Sequence, residues 1–229
     1  MDLEVRLSKK AIVILSGGLD SAVTLYKAHA DGYDVDALTF RYGQRHVKEI
    51  MCAAALCEHL GIPDPKVFEF NLASLVSTAL TGQEEIPTEG LSKDIPVTWV
   101  PQRNTIFLAL AFAYAETIHA EAVYAGFNAV DYSGYPDCRP EFVLAAETTL
   151  NLASKRFVTT GEVIRLKAPL IKMSKKDIVL LGTKLGVPFG LTWSCYKGKE
   201  EACGVCDSCR IRLKAFADAG LKDPVRYGE

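Results

Sequence analysis

The chain of 229 residues lacks any apolar run near the roughly 18 residues that cross a membrane. A spanning helix is therefore not expected. Its first ten residues, MDLEVRLSKK, lack the apolar core of a secretory signal, which points to the cytoplasm. It also lacks a charge excess. With 26 Lys and Arg against 28 Asp and Glu, the formal net charge is −2. No global basic field is available to attract nucleic acid. Internal repeats and low-complexity tracts are missing too. What is there is ordinary for a globular protein: 49% hydrophobic and 24% charged residues. The length suits one large domain, or one domain with an appendage. A chain of that size hides roughly 70% of its unfolded surface.

Apolar runs alternate with helical patterns. AIVIL (Ala11 to Leu15), VDALTF (Val35 to Phe40), KVFEF (Lys66 to Phe70) and AVYAG (Ala122 to Gly126) read as strands covered on both faces. A fifth strand is expected within EVIRLKAPL. Helices are expected from Ser21 to Ala30, from His46 to a stop at Gly61, over TIFLALAFAYAETIHA, over EFVLAAETTLNLAS, and after an N-cap at Ser174. The alternation predicts an α/β fold with a doubly wound, mainly parallel five-stranded sheet. Residues 71 to 100 are long for a connection, the length of a lid or partner-binding segment.

SGGLDS (Ser16 to Ser21) follows the first strand. Such a loop, at the carboxyl end of a strand, is where a doubly wound sheet binds ligands. Glycines let the backbone approach an anion, and the helix start supplies N–H donors. No G-K-[ST] follows, so this is not a Walker loop. The stretch fits neither G-x-G-x-x-G nor G-x-S-x-G. A bland glycine-rich turn with an Asp cap is the weaker alternative.

Seven cysteines are present, and four crowd the end: Cys195, Cys203, Cys206 and Cys209, spaced C-x7-C-x2-C-x2-C. In a reducing compartment this favours a metal over disulfides. Four sulfurs with no open position favour one structural zinc per chain. An iron–sulfur cluster and a redox pair are the alternatives. Cys52 and Cys57 lie on an apolar helix and read as core. The expected organisation is a domain over 1–190 and a metal-binding segment over 191–229 packed on it.

S-G-G-x-D-S resembles the pyrophosphate loop (PP-loop) of the adenylating ATP pyrophosphatase superfamily. FRYGQRH (Phe40 to His46), VPQRN (Val100 to Asn104), DYSGYPDCRPEF (Asp131 to Phe142) and TWSCYKG (Thr192 to Gly198) narrow the match. With the cysteine cluster, they resemble the 7-cyano-7-deazaguanine synthase family from about residue 11 to residue 227. SGGLDS marks only the superfamily, whereas DYSGYPDCR is close to a family signature.

The resemblance implies an adenine nucleotide alpha hydrolase-like fold and an ATP-dependent carbon–nitrogen ligase. The implied reaction takes 7-carboxy-7-deazaguanine, ammonia and ATP with Mg²⁺ to the nitrile. It would proceed through an adenylated carboxylate and an amide, in the pathway to queuosine or archaeosine. ATP would meet Leu15, Ser16, Gly17, Gly18, Leu19, Asp20, Ser21, Ala22 and Phe40. Asp20 would help hold Mg²⁺, and Arg103 and Lys172 would serve the reaction as counter-charges. Arg103, Asp131, Tyr132, Tyr135 and Asp137 would meet the base. Zinc would sit on Cys195, Cys203, Cys206 and Cys209. A homodimer acting on small molecules is implied, with no direct contact to nucleic acid or membrane. His46 reads as a base or a surface residue, Cys138 as bystander more than nucleophile, and Lys175 and Lys176 as a solvated helix start. The rivals are a tRNA-thiolating or lysine-adding relative and a non-enzymatic zinc-knuckle module.

Overall fold

The computed structural model describes residues 9–44, 48–76, 78, 95, 99–129 and 135–228. Most of the 71–100 connection, together with His46, Asp131 and Tyr132, lies outside the described residues.

Five strands form one sheet: β1 (Lys10–Ile14), β2 (Asp34–Arg41), β3 (Lys66–Glu69), β4 (Ala122–Tyr124) and β5 (Arg165–Lys167). Their order is β3-β2-β1-β4-β5 and each pairing is parallel, so the expected α/β sheet is found. Ala11 of central β1 pairs with Val35 on one side and Ala122 on the other.

Seven helices are described: α1 (Leu19–Ala30), α2 (Lys48–Leu60), α3 (Arg103–Thr117), α4 (Pro140–Leu152), α5 (Lys155–Thr160), α6 (Lys175–Lys184) and α7 (Asp207–Asp218). Two of them, α5 and α7, were not expected from the sequence. α1 begins two residues before the expected start, which places Leu19 and Asp20 in its first turn. Gly61, at φ 72°, ends α2 where expected. Ser174 and Asp177 cap α6 reciprocally: Asp177 N donates to Ser174 Oγ and Ser174 N to the Asp177 carboxylate.

Strand side chains alternate between faces, and β1 divides the core accordingly. Ala11 and Val13 join buried residues of α1, α2, α6 and α7, while Ile12 joins those of α3 and β2. Because β1 is central and its neighbours β2 and β4 diverge in sequence, a crevice opens beyond its carboxyl end. A third, smaller cluster holds Trp193, Cys195, Ala202, Cys206 and Cys209. Trp193 N donates to Gly17 O at 2.9 Å, which docks this cysteine-rich segment on the first loop.

A candidate nucleotide-binding site

The crevice holds a cavity of about 350 Å³, within the range of small-molecule sites. The SGGLDS loop forms one wall. Gly17 adopts φ +84°, and a Cβ there would strike the Glu49 carbonyl oxygen and lie 3.0 Å from Ala53 N. Only glycine fits this turn without strain. The two serines lock the loop from inside. Ser16 Oγ and Ser21 Oγ lie 3.0 Å apart, Ser16 N donates to Ser21 Oγ at 3.2 Å, and Ser21 Oγ donates to Gly18 O at 3.1 Å. No side chain caps the N-terminus of α1. An uncapped helix start offers orphan N–H donors and the positive end of the helix dipole to an anion.

Asp20, in the first turn of α1, has two different oxygens. Oδ2 accepts from Lys175 Nζ. Oδ1 is buried and meets no partner among the described residues. A free carboxylate oxygen beside an anion cradle fits a hard divalent cation. Arg103, the first residue of α3, faces the loop across the cavity. Its Nη1 donates to Tyr42 Oη at 3.4 Å, and its guanidinium lies 5.8 Å from the Phe107 ring centroid. Its Nε is buried without a partner among the described residues. A buried guanidinium with a spare donor suits a planar or tetrahedral anion. Phe40 stacks on Phe107 at 4.1 Å, giving the cavity a flat aromatic floor.

Of the residues the sequence singled out, Leu15, Ser16, Gly18, Leu19, Asp20, Ser21, Phe40, Arg103 and Tyr135 line the cavity. Gly17 and Ala22 sit just behind that wall. Asp137 also lies behind it: it is buried, and its Oδ2 accepts from Asn104 N at 3.2 Å, at the start of α3. Its carboxylate therefore shapes the site through α3. Lys172 is exposed and outside the cavity wall. Lys175, read from sequence as solvated, lies instead in the wall on Asp20. Cys138 lines the cavity with its thiol pushed up to about 12 by burial and by Asp137, an unreactive protonated group. Tyr42 and Asn104, which fall within the Phe40 to His46 and Val100 to Asn104 segments singled out by the sequence, line the cavity as well; sequence reasoning did not find Glu49 or Arg212, which also line it.

The C-terminal segment supplies the opposite wall through Trp193, Ser194, Tyr196 and Arg212. Its four cysteine sulfurs, on Cys195, Cys203, Cys206 and Cys209, lie within 4.8 Å of one another, and none forms a disulfide. Sulfurs about 2.3 Å from one tetrahedral ion would sit about 3.8 Å apart, so the cluster can close on a metal with small movements. Backbone amides already serve the sulfurs. Lys197 N and Cys203 N each donate to Cys195 Sγ at 3.4 Å, and Cys206 N donates to Cys203 Sγ at 3.4 Å. Such donors stabilise thiolates.

An all-parallel sheet of order 3-2-1-4-5, carrying an S-G-G-x-D-S cradle at the carboxyl end of its central strand, defines an enzyme of the PP-loop class. Its fold is shared by NMN synthetase from Francisella tularensis, at TM-score 0.51 and 19% identity, over 94% of this chain and 79% of that one. A 4-thiouridine synthetase in complex with RNA and ATP matches at TM-score 0.50 and 20% identity, over 93% of this chain and 50% of that one. The family model described as Queuosine biosynthesis protein QueC matches residues 10–220, and the chain belongs to that family. Curated relatives carry the name 7-cyano-7-deazaguanine synthase. The one from Thermoplasma volcanium is 50% identical over 226 residues, 97% of this chain and 92% of the relative. The one from Ralstonia pickettii is 51% identical over 224 residues, 96% of this chain and all of the relative. Among the described residues, no helix is long and apolar enough to cross a membrane.

Proposed function

We propose that the protein converts 7-carboxy-7-deazaguanine and ammonia to 7-cyano-7-deazaguanine, consuming ATP through an adenylated carboxylate and an adenylated amide. The observation that carries this reading is one cavity with an anion cradle, the orphan oxygen of Asp20 and the orphan Nε of Arg103. A carboxylate is a poor electrophile with a poor leaving group. Transfer of AMP to it makes a mixed anhydride that ammonia can attack. Adenylating the amide oxygen in turn lets that oxygen depart and leaves the nitrile.

In this reading Ser16, Gly17, Gly18 and Ser21 bind the β and γ phosphates through backbone N–H and hydroxyl donors. Asp20 holds Mg²⁺ through Oδ1, and the ion supplies charge neutralisation at the phosphates when bound. Lys175 keeps Asp20 oriented and adds positive charge for the departing pyrophosphate. Arg103 holds the acid group against the α phosphorus, and Tyr42 and Tyr135 border the flat base. Leu15, Leu19, Ala22 and Phe40 shape the adenine side. Asp131 and Tyr132 are further base contacts from the family signature. The four cysteines hold a structural zinc, which fixes the wall formed by Trp193 and Ser194. The unit over 191–229 thus completes the site of the unit over 1–190. The protein acts on free small molecules in the cytoplasm, without binding nucleic acid, and as a homodimer. Half-exposed Val67 and Phe68 on edge strand β3 support the dimer.

The test follows oxygen. With ¹⁸O in the substrate carboxylate, the label should appear in AMP. Label in inorganic phosphate with ADP as co-product would mean phosphorylation and would refute adenylation.

A further inference from the structure

Starting from ammonium, the nitrogen has four N–H bonds; in the nitrile it has none. Amines remain protonated at neutral pH, so every one of those protons needs an acceptor. The cavity offers few. Arg212 is fully engaged, with Nε, Nη1 and Nη2 all hydrogen-bonded. Lys175 sits on Asp20. Cys138 is a protonated thiol, and no histidine lines the wall among the described residues. Two carboxylates do, Asp20 and Glu49. Asp20 is spoken for. Glu49 is held in no ion pair among the described residues.

Glu49 is placed rigidly. It lies in the first turn of α2, whose backbone packs against Gly17 of the phosphate loop. The adjacent Lys48 is tied to the cysteine-rich segment, 3.6 Å from the Trp193 ring centroid and 2.9 Å from Lys199 O. The two contacts fix the start of α2 between the phosphate cradle and the far wall.

We propose that Glu49 is the general base of the amidation and dehydration steps, an inference that rests on the reaction proposed above. Glu49 first takes a proton from ammonium and passes it to water; as the freed ammonia attacks the adenylate, the C–N bond forms, the C–O bond to AMP breaks, and Glu49 takes a second proton from the nitrogen. After the amide oxygen is adenylated the nitrogen keeps two protons: Glu49 takes one to give the neutral imidate, passes it to water, and takes the second as the C–O bond breaks, the second AMP leaves with that electron pair and the C≡N bond closes. Glu49 returns each proton to water between steps. The electrostatics agree. Burial pushes its carboxyl up to about 7, against the opposing pull of the Arg103 guanidinium. A base with that value is matched to neutral pH. Arg103 from α3 and Tyr42 after β2 face it, Asp20 from α1 shares the cavity, and Cys52 and Lys48 lie on its own helix. The Phe189–Leu191 turn packed on α2 brings no titratable group.

The test is a single-turnover quench of the metal-loaded enzyme with ATP, Mg²⁺ and 7-carboxy-7-deazaguanine, with and without ammonium. Wild type without ammonium should accumulate the acyl-adenylate; if none forms, the proposed reaction itself fails, whatever Glu49 does. With ammonium, E49Q should accumulate that adenylate, while its amide and nitrile formation falls at least about 100-fold. Wild type should show a rise in rate across pH 7; the residual rate of E49Q should lose it, and E49D should recover part of it. Thermal melting of E49Q checks folding. Wild-type rates in E49Q would overturn the proposal. So would an E49Q that makes no adenylate, or a loss of the pH 7 limb in H46Q that E49Q does not share.

Discussion

Replacing Arg212 with methionine should cost the fold about 3 kcal/mol or more. The Arg212 and Asp223 side chains are only 3% and 2% exposed. Arg212 Nε and Nη2 donate to the two Asp223 oxygens at 2.7 and 3.0 Å. Nη1 donates to Thr192 Oγ1 at 2.7 Å and Ser194 Oγ at 3.3 Å, and Nη2 donates also to Phe189 O at 3.0 Å. Removing one partner of a buried pair costs about 3 to 5 kcal/mol, because the other charge stays buried alone. Asp223 would keep bonds from Val225 N and Tyr227 Oη, which argues for the lower end. For a chain of this size that is a melting shift of about 6 to 12 °C. Circular dichroism at fixed metal loading reads it. The shift should persist in high salt, since a buried pair is screened little. R212M combined with D223N should cost less than the sum of the single variants. A shift below about 2 °C would refute the assignment of Arg212 as the anchor of the cysteine-rich wall.

Gly17→Ala should abolish nitrile formation, because the added methyl collides with the Glu49 carbonyl in a left-handed turn; activity and a melting curve together test this. Cys206→Ser should lower bound metal, measured by elemental analysis, from about one ion per chain towards none, and a strong chelator should mimic it by lowering the melting temperature of wild type. Asp20→Asn should reduce turnover at least about 100-fold and weaken the Mg²⁺ dependence, since Oδ1 is buried without a partner among the described residues and the proposed reaction gives it the cation. The raised Glu49 carboxyl also has a stability signature. Its folded value near 7 exceeds the unfolded value of 4.5, so its stabilising contribution is complete below about 4.5 and is lost as pH rises through 7. Denaturant titrations should find E49Q more stable than wild type at pH 8, by up to about 3 kcal/mol, with little difference at pH 4.

The parallel sheet was legible because strands covered on both faces show as unbroken apolar runs, such as Ala11 to Leu15. The cysteine cluster was legible from spacing alone. Helix α7 was not. Its buried stripe is Cys209, Arg212, Ala215 and Phe216, so a charged residue at a core position breaks the apolar period. The lysine on Asp20 was misread for another reason. The cap at Ser174 and Lys175 at the helix start were both expected, but that Lys175 turns to Asp20 follows from α6 packing on α1, a contact between segments far apart in the chain. Glu49 was hidden because an acid in a first helical turn reads as a complement to the helix dipole. Its place against Gly17 depends on packing between segments about 30 residues apart, which no local pattern encodes.

The most direct measurement is mass spectrometry of the small molecules formed when the metal-loaded enzyme meets ATP, Mg²⁺, ammonium and 7-carboxy-7-deazaguanine. The nitrile should form, with the amide seen transiently and two AMP released per nitrile. Nucleotide turnover that yields neither amide nor nitrile would leave the phosphate cradle standing and contradict the assigned substrate.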